Sequence, residues 1–342
     1  MIKILNKCIG PQAPIYIIAE MACAHDGNVD KAKRLIDVAV EAHADAVQLQ
    51  FFSPDDLVTP DHDVYELLHQ INFPRKDWQE IYDYARRFDI AVFACTYDVP
   101  SVKLALDLKV DGIKLNSSDL SNPDLLQVVA ESKLPYTLGT GASTYEEIAR
   151  AVNTSLAHGG DQIIIMHGVQ NFPTDIINAH INKIKMFREL FPFPVGYQDH
   201  TDASDPFSKV ADLLAIGAGA SVIEKHITLD RSEKGTDYQA ALQPAEFKDF
   251  VKLIRTAETA MGSCMPQPLT ESDIKYRNFQ KKSIVAIKNL KKGDTISRED
   301  VAFMRSKIAG LPPTLFAEIK GKIVTQAINQ FEPISKEDIE GF

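Results

Sequence analysis

The chain has 342 residues, 45% of them hydrophobic and 25% charged, which are ordinary globular values with room for a sizeable core and roughly two domains. With 47 Asp and Glu against 37 Lys and Arg the formal charge is −10, so nucleic acid and anionic membrane are poor candidates for the main partner, and an anionic substrate needs local cations. Cys8, Cys23, Cys95 and Cys264 show no CxxC spacing, which argues against a disulfide framework or a zinc ribbon and fits small buried side chains in a reducing compartment. The first residues lack the apolar core of a secretion signal and no run of about 18 apolar residues follows, so the expected location is cytoplasmic.

Short β-rich runs recur in chain order at Ile15 to Ala19, Ala46 to Gln50, Ala91 to Cys95, Gly112 to Leu115, Tyr136 to Leu138, Gln162 to Met166, Pro194 to Tyr197 and Ser221 to Glu224. Helical periodicity separates them. Behind an Asn28 cap, for example, Val29, Ala32, Leu35, Ile36, Ala39 and Val40 repeat at helical spacing. Strand then helix, repeated in this way, predicts an α/β fold of the (β/α)8 barrel type. The competing doubly wound sheet lacks its G-x-G-x-x-G or P-loop sequence after an early strand. The last barrel helix is expected over Pro244 to Met261, closing a first domain at 1–262. Residues 263–281, with Pro266 and Pro268, read as a linker, and 282–342 as a small module of short strands at Ser283 to Ile287, Val301 to Met304 and Lys322 to Ala327. A module of about 60 residues is marginal alone and is expected to pack on something.

A barrel active site lies at the C-terminal ends of its strands. Polar residues collect there: Glu20 and His25, Gln48 and Gln50, Thr96, Lys114 with Ser117 and Asp119, Thr140, His167 and Asn171, Asp199 and His200, Glu224 and His226. His200 and His226, on adjacent strands, suit Mn²⁺, Zn²⁺ or Fe²⁺, with Asp199 or Glu224 as a further ligand or an orienting group; hydrogen-bonded core histidines are the bland alternative. Lys114 on a strand needs a carboxylate or an anion. It reads as a structural pair with Glu20 or Asp119, as part of a phosphate cradle with Ser117, Thr140 and the backbone of 139–141, or as a Schiff-base lysine. Asp237, in a glycine-bearing loop, reads as an acceptor for sugar hydroxyls or as a plain turn residue.

The ordered motifs Ile17-Ile18-Ala19-Glu20, Asp45-Ala46-Val47-Gln48-Leu49-Gln50, Ile113-Lys114-Leu115-Asn116-Ser117, Gly196-Tyr197-Gln198-Asp199-His200-Thr201 and Ile223-Glu224-Lys225-His226-Ile227-Thr228 resemble the sialic acid synthase family. These are the phosphoenolpyruvate-dependent nonulosonate synthases, and the resemblance spans nearly the whole chain. The tail from Ser283 resembles the antifreeze-like SAF module, of β-clip type, that ends such synthases. The resemblance implies a condensation in which phosphoenolpyruvate attacks the aldehyde of an open-chain N-acyl hexosamine and phosphate leaves by C–O cleavage. It implies that His200 and His226 hold a divalent metal, Mn²⁺ first, with Mg²⁺ or Co²⁺ as alternatives. Lys114, Ser117, Thr96, Thr140 and Gln48 would meet phosphoenolpyruvate, Glu20, Asp119 and His226 would serve the chemistry, and Gln50, Phe172 and Asp237 would face the sugar. It also implies a domain-swapped homodimer, in which the module of one subunit covers its partner's site and delivers Arg305 to the N-acyl group.

Five places depart from the family pattern. Gln48 stands where lysine is usual, Ala24-His25-Asp26-Gly27 for Asn-His-Asn-Gly, Asp119 for glutamate, Phe172 for tyrosine, and Arg305-Ser306-Lys307-Ile308-Ala309-Gly310 for Arg-Pro-Gly-x-Gly. They point to an acceptor other than N-acetylmannosamine, such as a diacetamido-trideoxyhexose. The competing readings are a keto-acid aldolase using Lys114, a catalytically altered binder of sugar or phosphoenolpyruvate, and an ice-binding tail. The scattered Thr295, Thr314 and Thr325 argue against the last of these.

Overall fold

The structure is a computed structural model that describes residues 1–263 and 265–342, so Cys264 lies outside the described residues. It divides into two compact units, Met1–Gly262 and Ser263–Phe342.

The first unit is a closed barrel of parallel strands in the order β10-β3-β4-β5-β6-β7-β8-β9. The strands are β3 (Tyr16–Glu20), β4 (Ala46–Phe51), β5 (Ala91–Thr96), β6 (Gly112–Leu115), β7 (Tyr136–Gly139), β8 (Ile163–His167), β9 (Val195–Asp199) and β10 (Val222–His226). Each matches a β-rich run of the sequence to within about two residues, because the inner and outer faces are both apolar over most of a barrel strand. Ahead of them lies a hairpin that periodicity does not reveal, β1 (Ile2–Ile4) paired antiparallel with β2 (Lys7–Ile9). Its Ile2, Ile4 and Ile9 share one apolar cluster with the inner-facing Tyr16, Ile18, Phe93, Ile164, Met166 and Val222. The deep end of the barrel is therefore packed with side chains, and polar groups are confined to the C-terminal mouth.

Two layers follow from the alternation of side chains along a strand. Ile17, Ala19, Val47, Leu49, Val92, Ala94, Ile113, Leu115, Ile163, Ile165 and Ile223 face outward into the main core beneath the helices. The helix Val29–Glu41 shows why that layer forms: Asn28 accepts from the Lys31 amide, and Ala32, Leu35, Ile36, Val38 and Ala39 are buried as one stripe. The last barrel helix runs Pro244–Met261 with Phe247, Phe250, Val251 and Ile254 buried. Of the cysteines, Cys23 and Cys95 are buried as expected, but Cys8 is exposed because it sits on the outer side of the small hairpin.

The second unit opens with a feature the linker reading omits. Thr270 and Asp273 form a reciprocal cap that starts the helix Glu271–Gln280, all of whose residues are exposed. Beyond it, β11 (Ser283–Ala286) pairs antiparallel with β12 (Val301–Met304). Residues 322–327 form no continuous strand; Ile323 and Val324 make only isolated bridges, to Thr295 and Ile339. Ile284, Leu290, Ile296, Val301, Ile319, Val324, Ile328 and Ile334 give the unit its own core.

Candidate active site

Inner-face positions near the strand ends place Glu20 (β3), Gln48 and Gln50 (β4), Lys114 (β6), and Glu224 and His226 (β10) in one mouth, with His200 just past β9. Lys114 Nζ donates to Glu224 Oε1 at 2.5 Å and to Glu20 Oε2 at 3.1 Å. The Gln48 amide donates to Glu20 and, at 3.3 Å, to Glu224. The second Glu20 oxygen accepts from the Ala22 amide at 2.7 Å. Burial disfavours the Lys114 ammonium, but Glu224 and Glu20 outweigh it and hold its pKa above the ordinary lysine value.

The two imidazoles lie against that cluster. His200 and His226 have ring centroids 5.2 Å apart, and one ligand atom from each, with one Glu224 oxygen, fall within 4.8 Å of one another. His200 Nδ1 hydrogen-bonds the Val169 carbonyl at 2.7 Å, which makes Nδ1 the donor and leaves the Nε2 lone pair for a ligand. Burial lowers the pKa of both rings, and for His226 the neighbouring His200 and Lys114 lower it further. Neutral imidazoles beside a carboxylate are the protonation states a divalent metal requires, so the set fits one. The alternative of hydrogen-bonded core histidines does not account for Glu224 joining them. Asp199 is not part of the set, since it faces outward toward Lys225.

A cavity of about 130 Å³ joins these groups, its wall including Glu20, Gln50, Lys114, His200, His226 and Asp237. Phe172 stacks on His200 at 4.3 Å and meets His226 edge-on at 5.6 Å. Burial, reinforced by Glu20, raises the Asp237 carboxyl to about 6. Asn116 and Gln170 line both this cavity and an adjoining cleft of about 430 Å³ that holds Ser117, Gly141 and Ser143. Ser117 Oγ accepts from the Gly141 amide at 3.0 Å and from Gln170 Nε2 at 2.9 Å. A recess of about 750 Å³ between the helices Lys183–Leu190 and Ser208–Ala218 is larger, but no carboxylate lines it.

The remaining candidates fall elsewhere. Thr96 shares the outward face of β5 with Val92 and Ala94, and its buried hydroxyl has no partner among the described residues. Thr140 lies outside the shared cavity and donates its hydroxyl to the Met166 carbonyl at 2.9 Å. Asp119, on a short 3-10 turn, accepts from Ser118 at 2.7 Å and lines neither cavity, while burial raises its pKa. His25 packs on Phe73 at 4.6 Å and on Trp78, and His167 on Tyr197 and Phe187, its Nε2 bonded to the Ala179 carbonyl at 2.8 Å. Arg305 belongs to the second unit, where it is exposed and donates from Nε to the Gln280 carbonyl at 3.1 Å.

Three polar wall residues escape the sequence reading: Tyr97, Asn116 and Gln170. The Tyr97 hydroxyl accepts from Gln50 and, at 3.2 Å, from Asn116. Counting in twos from the inward Phe93 through Cys95 reaches Tyr97, so strand alternation carried its signal. Gln170 lies on a loop, where no periodicity points.

A model of the NeuB family matches residues 35–265, and a model of the SAF domain matches residues 281–340. An N,N'-diacetyllegionaminic acid synthase of Legionella pneumophila is 30% identical, with 97% of this chain and 96% of the relative covered. A pseudaminic acid synthase of Campylobacter jejuni is 28% identical, with 95% and 97% covered. The crystal structure of an N-acetylneuraminic acid synthetase from Leptospira borgpetersenii superposes with a TM-score of 0.75 at 29% identity, over 81% of this chain and 96% of that one. The barrel, its histidine-and-carboxylate mouth and these matches agree: the chain belongs to the NeuB family, a synthase-type enzyme with a SAF domain at its C-terminal end.

Proposed function

We propose that this enzyme condenses phosphoenolpyruvate with the open-chain aldehyde of an N-acyl hexosamine, giving a nonulosonic acid and inorganic phosphate. A new C–C bond forms between C3 of phosphoenolpyruvate and the aldehyde carbon, and the aldehyde oxygen takes a proton. Water then adds at C2, and the C2–O bond to phosphate breaks to leave the ketone. The observation that carries the reading is Lys114 held between Glu20 and Glu224 at the edge of the His200–Glu224–His226 set, in one barrel mouth.

His200, Glu224 and His226 would hold a divalent metal, Mn²⁺ first; when bound, it supplies Lewis-acid polarisation of the aldehyde oxygen. Lys114 is the buried cation that meets the phosphoenolpyruvate anion, and the Ser117–Gly141 cleft beside it receives the phosphate. Unpartnered buried atoms in this region, Gln48 Oε1, Thr137 Oγ1 and both amide atoms of Gln198, are groups a bound substrate or its water would satisfy. Glu20 orients the attacking water and exchanges protons with it. Gln50, Phe172 and Asp237 form the sugar wall.

Gln48 supplies an amide where a second ammonium is usual, so phosphoenolpyruvate finds one resident cation fewer. The acceptor is a diacetamido-trideoxyhexose of the kind implied by the legionaminic and pseudaminic relatives. Activity requires a homodimer, in which the partner's Arg305 reaches the N-acyl group. A Schiff-base aldolase is disfavoured, because an amine nucleophile must be unprotonated and Glu20 and Glu224 keep Lys114 protonated. The test is phosphate release from phosphoenolpyruvate with Mn²⁺ against N-acetylmannosamine and diacetamido-trideoxyhexoses, with mass detection of the acid. Release that depends on one sugar supports the reading; phosphoenolpyruvate binding without turnover on any of them overturns it.

A further inference from the structure

Lys225 is fully buried, but it does not face the mouth. It lies between Glu224 and His226 on β10, so alternation turns it outward, into the layer between the barrel and its helices. Its ammonium donates to Asp199, to Asp212 Oδ2 at 2.9 Å and to the Ser208 carbonyl at 3.0 Å, and stands 5.3 Å from the centre of the Phe250 ring. Asp199 also accepts from the Tyr197 hydroxyl at 2.9 Å, the Thr201 hydroxyl at 2.7 Å and the Thr201 amide at 3.3 Å.

A lysine and two aspartates with no exposed side-chain surface are an expensive way to fill a core, where apolar residues of similar volume often serve stability as well or better. What apolar side chains lack is direction. Lys225 and Asp199 are paired residues in the parallel ladder of β9 and β10, so their ion pair ties the two strands together on the outer face. The next residue after Asp199 is His200, and those on either side of Lys225 are Glu224 and His226. The outer tie and the inner ligand set are therefore two faces of the same backbone segments.

We propose that the Lys225–Asp199 pair is a positioning device for the His200–Glu224–His226 set. It fixes the relative register and spacing of the strands from which the ligand atoms project, and through them the affinity for a divalent cation. This inference rests on the metal reading given above. The pair touches neither substrate nor metal, so its effect reaches the chemistry only through ligand placement.

The test is Mn²⁺ binding to the purified full chain by titration calorimetry, with thermal unfolding measured in parallel. Two variants are compared with wild type: Asp199→Asn, which keeps the shape of the site, and Lys225→Met/Asp199→Asn/Asp212→Asn, which removes every charge together and leaves none unpaired. Both are expected to weaken Mn²⁺ binding by about ten- to a hundredfold, the usual effect of losing a group that orients a ligand. In the triple variant the loss comes without a matching fall in Tm. A purely structural pair would lower Tm and leave the Mn²⁺ Kd unchanged, and that result overturns the inference. Wild type that binds no Mn²⁺ overturns the metal reading itself, which is a distinguishable failure.

Discussion

Lys114 and Glu224 meet across the barrel interior at 2.5 Å, and Glu224 also belongs to the set of atoms around the two histidines. The cation proposed to meet the anionic substrate and the ligands that would hold the metal therefore share a carboxylate. Removing Lys114 leaves Glu20 and Glu224 buried without their counter-charge. Lys114→Met is expected to abolish turnover and to cost about 3–5 kcal/mol in urea unfolding, whereas Lys114→Met/Glu20→Gln recovers part of the stability and none of the activity. Full stability in the single variant would show that the pair carries no such strain.

His226→Ala is expected to keep the fold and lose turnover, and chelation of wild type with EDTA to do the same reversibly. Restoring activity with Mn²⁺ should succeed for wild type and fail for the variant at any accessible Mn²⁺ concentration. Equal activity of the two proteins in Mn²⁺ would remove His226 from the metal site.

Acid should destabilise this protein through two histidines that do not line the candidate cavity. Burial lowers both His25 and His167 to about 4, against about 6.5 in the unfolded chain. Between those values the unfolded state binds more protons, so the contribution is complete above pH 6.5 and is lost as pH falls toward 4. A displacement from about 6.5 to about 4 corresponds to about 3 kcal/mol for each histidine. His167→Gln, which can keep a bond to the Ala179 carbonyl, should flatten the fall in unfolding free energy between pH 7 and 4.5 by a similar amount. An unchanged slope would mean that His167 does not titrate with folding.

The architecture was legible because eight β-rich runs alternate with helical periodicity, and the candidate site because polar residues end those strands where apolar ones would otherwise pack. Which face each residue takes was less legible. Thr96 and Thr140 are polar and at strand ends, but each lies one position out of step with the inward row, so Thr140 bonds the Met166 carbonyl, Thr96 is left without a partner among the described residues, and neither hydroxyl faces the cavity. The same one-residue arithmetic separates Glu224 from Lys225 and Asp199 from His200. The β1–β2 hairpin escaped because strands of three residues are too short to show a period. The helix Glu271–Gln280 escaped because it buries none of its residues, so no apolar stripe marks it, and only the Thr270–Asp273 cap betrays its start.

Arg305 carries the prediction for the second unit. It is exposed, and among the described residues its side chain makes one hydrogen bond, from Nε to the Gln280 carbonyl, which leaves the guanidinium tip available. Arg305→Ala should raise the KM of the sugar about tenfold and leave that of phosphoenolpyruvate within about twofold, the loss of one charge-assisted hydrogen bond of about 1.5 kcal/mol. An unchanged sugar KM would mean that the SAF domain does not reach the site.

Gly139 gives the sharpest test of the phosphate cleft. It ends β7 on the inward face, and a Cβ built there would stand 2.6 Å from Ser117 Oγ and 2.9 Å from the Ser117 amide nitrogen. Contacts that short require movement, and the backbone nitrogen cannot swing aside as a flexible side chain can. Gly139→Ala must therefore push the 3-10 turn Ser117–Asp119 away and pull Ser117 off the Gly141 amide and Gln170. The overpacking should cost about 1–3 kcal/mol of stability, an amount the barrel tolerates. The kinetic signature should be specific: phosphoenolpyruvate KM rises about tenfold or more while Mn²⁺ affinity and sugar KM stay near wild type, because His200, His226, Gln50, Phe172 and Asp237 belong to other strands and loops. If sugar KM rises and phosphoenolpyruvate KM does not, the serine cleft receives the sugar, and the assignment of the two substrates to the two cavities must be exchanged.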